Sequence, residues 1–323
     1  MKKLALLPLF LALACQSGGI TSEQKAKLVE SYQETAQQYY TMGDLDRANS
    51  QCLKGLAVEP GNDRLRLIQA WTLLRRGGKS DIAQAETTFR SLQKGNDFRA
   101  VLGLAEALER KGLLFSESAA NLRSGKRVTE ASDPTKRIAD IETQALKAWE
   151  ESLSYYMAAL KLQKEPADVY SGLARVETLR GNQEAALGWS QKLIEVTRAD
   201  RLFWNERLTR ADMTTTDETR LRDIVRQRGR VESAAHLTSA DLATQLGRDT
   251  EALAHLDEAI SLEPDRADSY SRRAQIRQEL GRFAEAITDL ERFIALSDRD
   301  SNHPDIQRAF RMRRECQDEI DRR

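Results

Sequence analysis

The chain has 323 residues, 31 % of them charged, with 50 basic against 50 acidic side chains. That balance argues against a nucleic-acid binder, which would carry a basic surplus or a basic stripe. Besides Cys15 there are only Cys52 and Cys316, too far apart in the helical order described below to suggest a disulfide; Cys52 reads as a small buried apolar residue.

Met1-Lys2-Lys3 gives a short basic start, Leu4 to Leu13 an apolar run, and small residues precede Cys15. This is the pattern of a secretory signal peptide, and the run falls short of the roughly 20 apolar residues that span a bilayer. Residues 1–14 therefore read as the signal and 15–21 as a lipidated Cys15 with its tether. Leu11 to Cys15 resembles the bacterial lipobox, with Ala12 where leucine is commonest. Ala12-x-Ala14 also fits an ordinary signal-peptidase site, which leaves plain secretion as the alternative. The resemblance implies an acylated, palmitate-bearing Cys15. With no Asp after Cys15, it also implies sorting to an outer membrane, facing the periplasm. More than one acyl chain gives stable anchoring.

Thr21 or Ser22 can cap the first helix, and Gln24 completes a capping box if Thr21 is the cap. Tyr32, Ala36, Tyr39, Gly43, Ala48, Cys52, Gly55 and Pro60 then mark a first helical hairpin. Ala70, Trp71, Leu73 and Gly77 place the next helix. Gly78-Lys79-Ser80-Asp81 reads as a widened turn before Ala85, Phe89 and Leu92. A phosphate-binding loop would need glycine where Leu73 stands. Phe98 to Gly112 reads as a third first-helix, closing an N-terminal repeat region over 22–112.

Residues 113–166 read as an irregular insertion: a short helix over Leu113 to Leu122, a polar loop, then one long amphipathic helix from Thr135 to Lys164. Ile138, Ile141, Ala145, Trp149, Leu153, Tyr156 and Leu160 recur there at steps of three and four. Tyr170, Leu173, Ala174, Gly181 and Ala186 mark a clear hairpin, and 199–231 a degenerate one in which Thr215-x-x-Glu218 opens a helix. Residues 167–232 are thus one clear and one degenerate repeat. Residues 233–298 are two clear ones, and 299–323 a polar capping helix.

The ruler for this grid is residues 233–298, where Ala240, Gly247, Ala252 and Leu256 fall on Ala274, Gly281, Ala286 and Leu290 at a shift of 34. This resembles the tetratricopeptide repeat family. The resemblance implies an all-α, right-handed α-solenoid of helical hairpins, about eight slots with two degenerate ones near 133–166 and 200–232. The family binds protein or peptide partners in a groove lined by the first helix of each repeat. By register, that places Tyr40, Leu67, Trp71, Leu74 and Arg175 as groove candidates. Gln33, Gln37, Leu67 and Trp71 stand where chaperone-binding members carry their Lys and Asn, so that clamp is absent.

His236, His255 and His303 lack partners at metal-ligand spacing, and no nucleophile elbow, zinc helix or dinucleotide loop appears. The expectation is a non-enzymatic, cofactor-free, membrane-anchored adaptor. One rival is a permanent assembly subunit of a secretin, pilus or protease machine. Another is an enzyme or glycan module hidden in 113–166.

Overall fold

The computed structural model describes residues 21–126, 133–163, 166–209 and 213–322. The described residues form α-helices with one 3-10 turn, in two compact units divided after Leu162. Cys15 lies outside the described residues. No described helix is long and apolar enough to cross a membrane.

The first unit holds α1 (Ser22–Met42), α2 (Leu45–Val58), α3 (Asp63–Arg76), α4 (Lys79–Leu92), a 3-10 turn (Gln93–Gly95), α5 (Phe98–Arg123) and α6 (Pro134–Leu162). Consecutive helices pack as antiparallel pairs, and α3 also touches α1 and α5, the first helices of the neighbouring pairs. Thr21 starts the stack. Its hydroxyl accepts from the Gln24 N–H at 3.2 Å, and the Gln24 side chain accepts from the Thr21 N–H at 2.9 Å, so two orphan donors are satisfied reciprocally. Ala36, Ala48, Ala70 and Ala85 are fully buried at the close approaches.

Two arginines stitch one pair to the next. Arg75 donates to the Tyr40 carbonyl at 2.8 Å and Arg110 to the Leu74 carbonyl at 2.9 Å. Each supplies a charged donor to the last turn of the preceding first helix, where carbonyls lack helical partners and the dipole favours a cation.

The insertion after α3 does not widen the turn. Gly77 takes the left-handed conformation at φ +82°, Gly78 caps α4, and the extra residues add a turn at its start. There Arg76 grips Asp81 with two hydrogen bonds, at 2.7 and 2.5 Å. Gly112 does not stop a helix. α5 runs through it to Arg123, and the glycine is a notch. A Cβ there would lie 2.3 Å from Nε1 of Trp149 on α6. Gly103 makes the same kind of room for the Phe89 ring and Gly55 for Leu65.

The second unit holds α7 (Ala167–Leu179), α8 (Gln183–Leu208), α9 (Thr215–Gln245), α10 (Asp249–Leu262), α11 (Ala267–Glu279), α12 (Phe283–Leu296) and α13 (Pro304–Asp321). Gly247 and Gly281 close first helices at φ +70° and +71°, where any side chain would be strained. The two eroded slots contribute no separate pair of short helices. Residues 134–162 become α6, the partner of a lengthened α5, while residues 200–208 end α8 and residues 215–232 begin α9. The helix after the 210–212 stretch is capped one residue earlier than its motif suggests, by Thr214 accepting from the Asp217 N–H at 3.2 Å.

Candidate functional site

The groove candidates divide between the units. Tyr40, Leu67, Trp71 and Leu74 belong to the first and Arg175 to the second. Leu67 is 9 % and Leu74 1 % exposed; both lie in one core cluster with Ala70, Leu73, Phe89, Leu104 and Leu108. Their expected place on an open surface is therefore corrected: α3 is covered by α1 on one side and α5 on the other, so the same register that exposes a terminal helix buries this one. Leu102 and Glu109 on α5 are buried as well, where α6 packs along that helix. The Glu109 carboxylate accepts from the Tyr156 hydroxyl at 2.7 Å, and its carbonyl accepts from Trp149 Nε1 at 3.3 Å.

Two aromatics keep one side toward solvent. Trp71 packs edge-on against Phe89, centroids 5.3 Å apart, and its Nε1 is buried without a hydrogen-bond partner. Tyr40 is half-buried, with the Arg75 guanidinium 5.4 Å above its ring. Burial raises the Tyr40 phenol pKa; Arg75 opposes that rise, and Glu106 adds to it. Arg99 and Arg110 also bear on this phenol. The patch is thus an amphipathic pair of rings under a mainly cationic border, chemistry suited to holding a side chain or carboxylate of a partner. Arg175, on α7, is exposed and donates to Ser171 Oγ at 2.9 Å.

A second polar cluster lies in the second unit. Glu232, wholly buried on α9, accepts from Arg198 Nε at 3.0 Å and Arg201 Nε at 2.6 Å, both on α8. Arg198 Nη2 stands 3.3 Å from His236 Nε2, and His236 Nδ1 is 3.1 Å from His255 Nδ1 on α10. The arginine can only donate, so His236 Nε2 is the acceptor and Nδ1 carries the proton toward His255. Burial, then the neighbouring His255 and Arg198, lowers the His236 pKa to about 4, against the pull of Glu232 and Glu258; burial lowers that of His255. Among the described residues, no group of three or more His, Cys, Asp or Glu is placed to hold a metal ion. The pair is 19 residues apart on different helices, which no ligand-spacing motif captures. The available sequence signal was an acid four residues before a histidine on a helix face that otherwise carries Ser233 and Ala240.

A model of the tetratricopeptide repeat matches residues 233–266 and 267–300, the span covered by the end of α9 and by α10, α11 and α12. Residues 233–300 are thus a pair of tetratricopeptide repeats. The chain is 42 % identical over 66 residues to tetratricopeptide repeat protein 36 of Bos taurus, covering 20 % of this chain and 35 % of that one. It is 38 % identical over 60 residues to a TPR repeat-containing protein of Rhizobium etli, covering 19 % and 29 %. The chain thus spans about a third of the length of the curated relatives it matches. Two solved structures share the fold at 13 % identity and a TM-score of 0.51 each. One, from work on Pseudomonas aeruginosa pilF, covers 91 % of this chain and 99 % of its own. The other, the APC/C hetero-tetramer Cut9–Hcn1, covers 98 % and 49 %. The all-α helical architecture of the described residues is common ground among them.

Proposed function

We propose that this tetratricopeptide-repeat protein is a membrane-anchored adaptor of the cell envelope that docks a protein or peptide partner on its first unit. The observation that carries the docking is the Trp71–Tyr40 patch. Each ring keeps one side toward solvent and rests the other on packed structure, and Arg75 is fixed by its bond to the Tyr40 carbonyl. Rigid aromatic anchors with a nearby arginine are the residue types that dominate interface energies. The anchor rests on the sequence pattern ending at Cys15, and the lipid would hold the protein at an outer membrane facing the periplasm. No covalent chemistry is assigned to the site.

The test is photocrosslinking in cells from position 71, with position 175 as a probe on the second unit, after separating soluble and membrane fractions. The expected result is one recurrent captured protein from position 71, lost with Tyr40→Ala. The protein should sit in the membrane fraction and become soluble with Cys15→Ser. No capture from either position overturns the docking reading; a Cys15→Ser chain still held in membranes overturns the anchor.

A further inference from the structure

The ends of α8 and α9 form a helical hairpin with no core beneath it. From Arg198 to Leu208 and from Thr215 to Arg228 no side chain is buried. The two helices face each other through ion pairs. Asp200 meets Arg228 at 3.1 Å, and Arg201 meets Glu232 at 2.6 Å. Large apolar side chains remain outside: Leu202 is 49 %, Phe203 52 % and Val231 42 % exposed. At about 100° per residue, Phe203 on α8 and Ile224 and Val231 on α9 fall on the same side of the hairpin. Arg207 stacks over Phe203 and Trp204, at 5.4 and 5.5 Å, so the aromatic pair is held in place. Two short helices that cover only each other are marginal in water, and most helical stability comes from packing an apolar face. Among the described residues of the second unit, nothing packs on this face.

We infer that this face is a homodimer contact, occupied by the same face of a second copy of the chain. The border decides for a second copy. Glu206 and Arg207 on α8, and Asp217 and Arg220 on α9, fall on the same side as Phe203 and alternate in sign. A two-fold contact lays a patch on itself, so it needs a border in which each positive group finds a negative one. An anionic lipid surface or a nucleic acid would select a border of positive charge alone. Paired this way, two hairpins make a four-helix bundle, with Phe203, Ile224 and Val231 of each copy at its centre. A face two helices wide and about 20 Å long is at the small end of stable interfaces, which points to micromolar association.

Analytical ultracentrifugation of the purified chain from about 1 to 100 μM tests this. The mass should rise with concentration from 36.5 kDa toward twice that value. Phe203→Ala, which counts twice in a two-fold contact, should raise the dissociation constant at least about tenfold. Val231→Asp should give a monomer with unchanged circular dichroism. Leu53→Asp, on an equally exposed leucine of the first unit, should leave association unaltered. A chain that stays monomeric throughout overturns the inference, including one that binds phosphatidylglycerol vesicles or another protein through Phe203 instead. So does a dimer that Phe203→Ala and Val231→Asp leave intact.

Discussion

Gly112 and Gly188 both lie inside long helices, and the structure assigns them opposite responses to alanine. At Gly112 the added Cβ would stand 2.3, 2.5 and 2.8 Å from three atoms of the Trp149 indole. Trp149 is buried and its Nε1 donates to the Glu109 carbonyl, so the ring has to move by about 1 Å against packed neighbours. Overpacking of this kind costs about 1–3 kcal/mol, and weakening the indole hydrogen bond about 1 more. Alanine returns about 1 kcal/mol of helix propensity. The net expectation for Gly112→Ala is a loss of about 2 kcal/mol. Gly188 is exposed and nothing lies within 4 Å of its Cβ position. Gly188→Ala should therefore stabilise by about 1 kcal/mol from propensity alone. Urea unfolding followed by circular dichroism gives both values, read from midpoints at constant slope. A Trp149→Leu background should remove most of the Gly112→Ala penalty, as expected for contacting residues. If Gly112→Ala matches or exceeds the wild type in stability, α5 and α6 are not packed through this notch.

Two further outcomes follow from buried polar groups. The folded His236 pKa of about 4 lies below the 6.5 of an exposed histidine, so the unfolded chain binds the extra proton first as pH falls. Stability of the second unit is complete above pH 6.5 and should drop by about 3 kcal/mol as pH falls toward 4, at about 1.4 kcal/mol per pKa unit. His236→Phe should flatten that slope in thermal unfolding across the same range; an unchanged slope would show that other groups carry it. Asp289, 2 % exposed, accepts from Arg273 at 2.9 and 2.6 Å and from Arg277 at 2.7 Å. Asp289→Ala removes the carboxylate the two guanidiniums share, leaving Arg273 its pair with Asp257 and Arg277 its pair with Glu285, and should cost about 2 kcal/mol by urea unfolding, whereas a loss under 1 kcal/mol would count against the network.

The parts of the fold legible in the sequence are those set by local chemistry. Gly247 and Gly281 announce their turns because few other residues take that conformation. Thr21 and Gln24 announce their box because both partners lie within one turn. The long helix near 135–164 shows in its apolar spacing. Gly112 misleads because a helix stop and a packing notch use the same residue, and the deciding partner, Trp149, is 37 positions away. Leu67 and Leu74 mislead for a related reason. Repeat register says which face a residue takes, while burial depends on how many neighbours that face meets, and α3 meets two. Tyr40 and Trp71 keep an open side because their rings extend past those contacts. The Glu232–His236–His255 cluster was hidden, since its members come from two helices and only the fold brings Arg198 to them.

The arginine stitches set a rule for how the first unit can change length. Each pair of helices presents a carbonyl acceptor forward, and the next returns an arginine 35 or 36 positions later, Arg75 to Tyr40 and Arg110 to Leu74. A hairpin spliced between α2 and α3 would restore both contacts only if its first helix carried its own arginine in the last turn. One lacking it would leave the Tyr40 carbonyl with only the Gly43 N–H, while Arg75 turned to the newcomer. Addition and loss of repeats in this chain are therefore constrained less by hairpin length than by the inheritance of one side chain per joint.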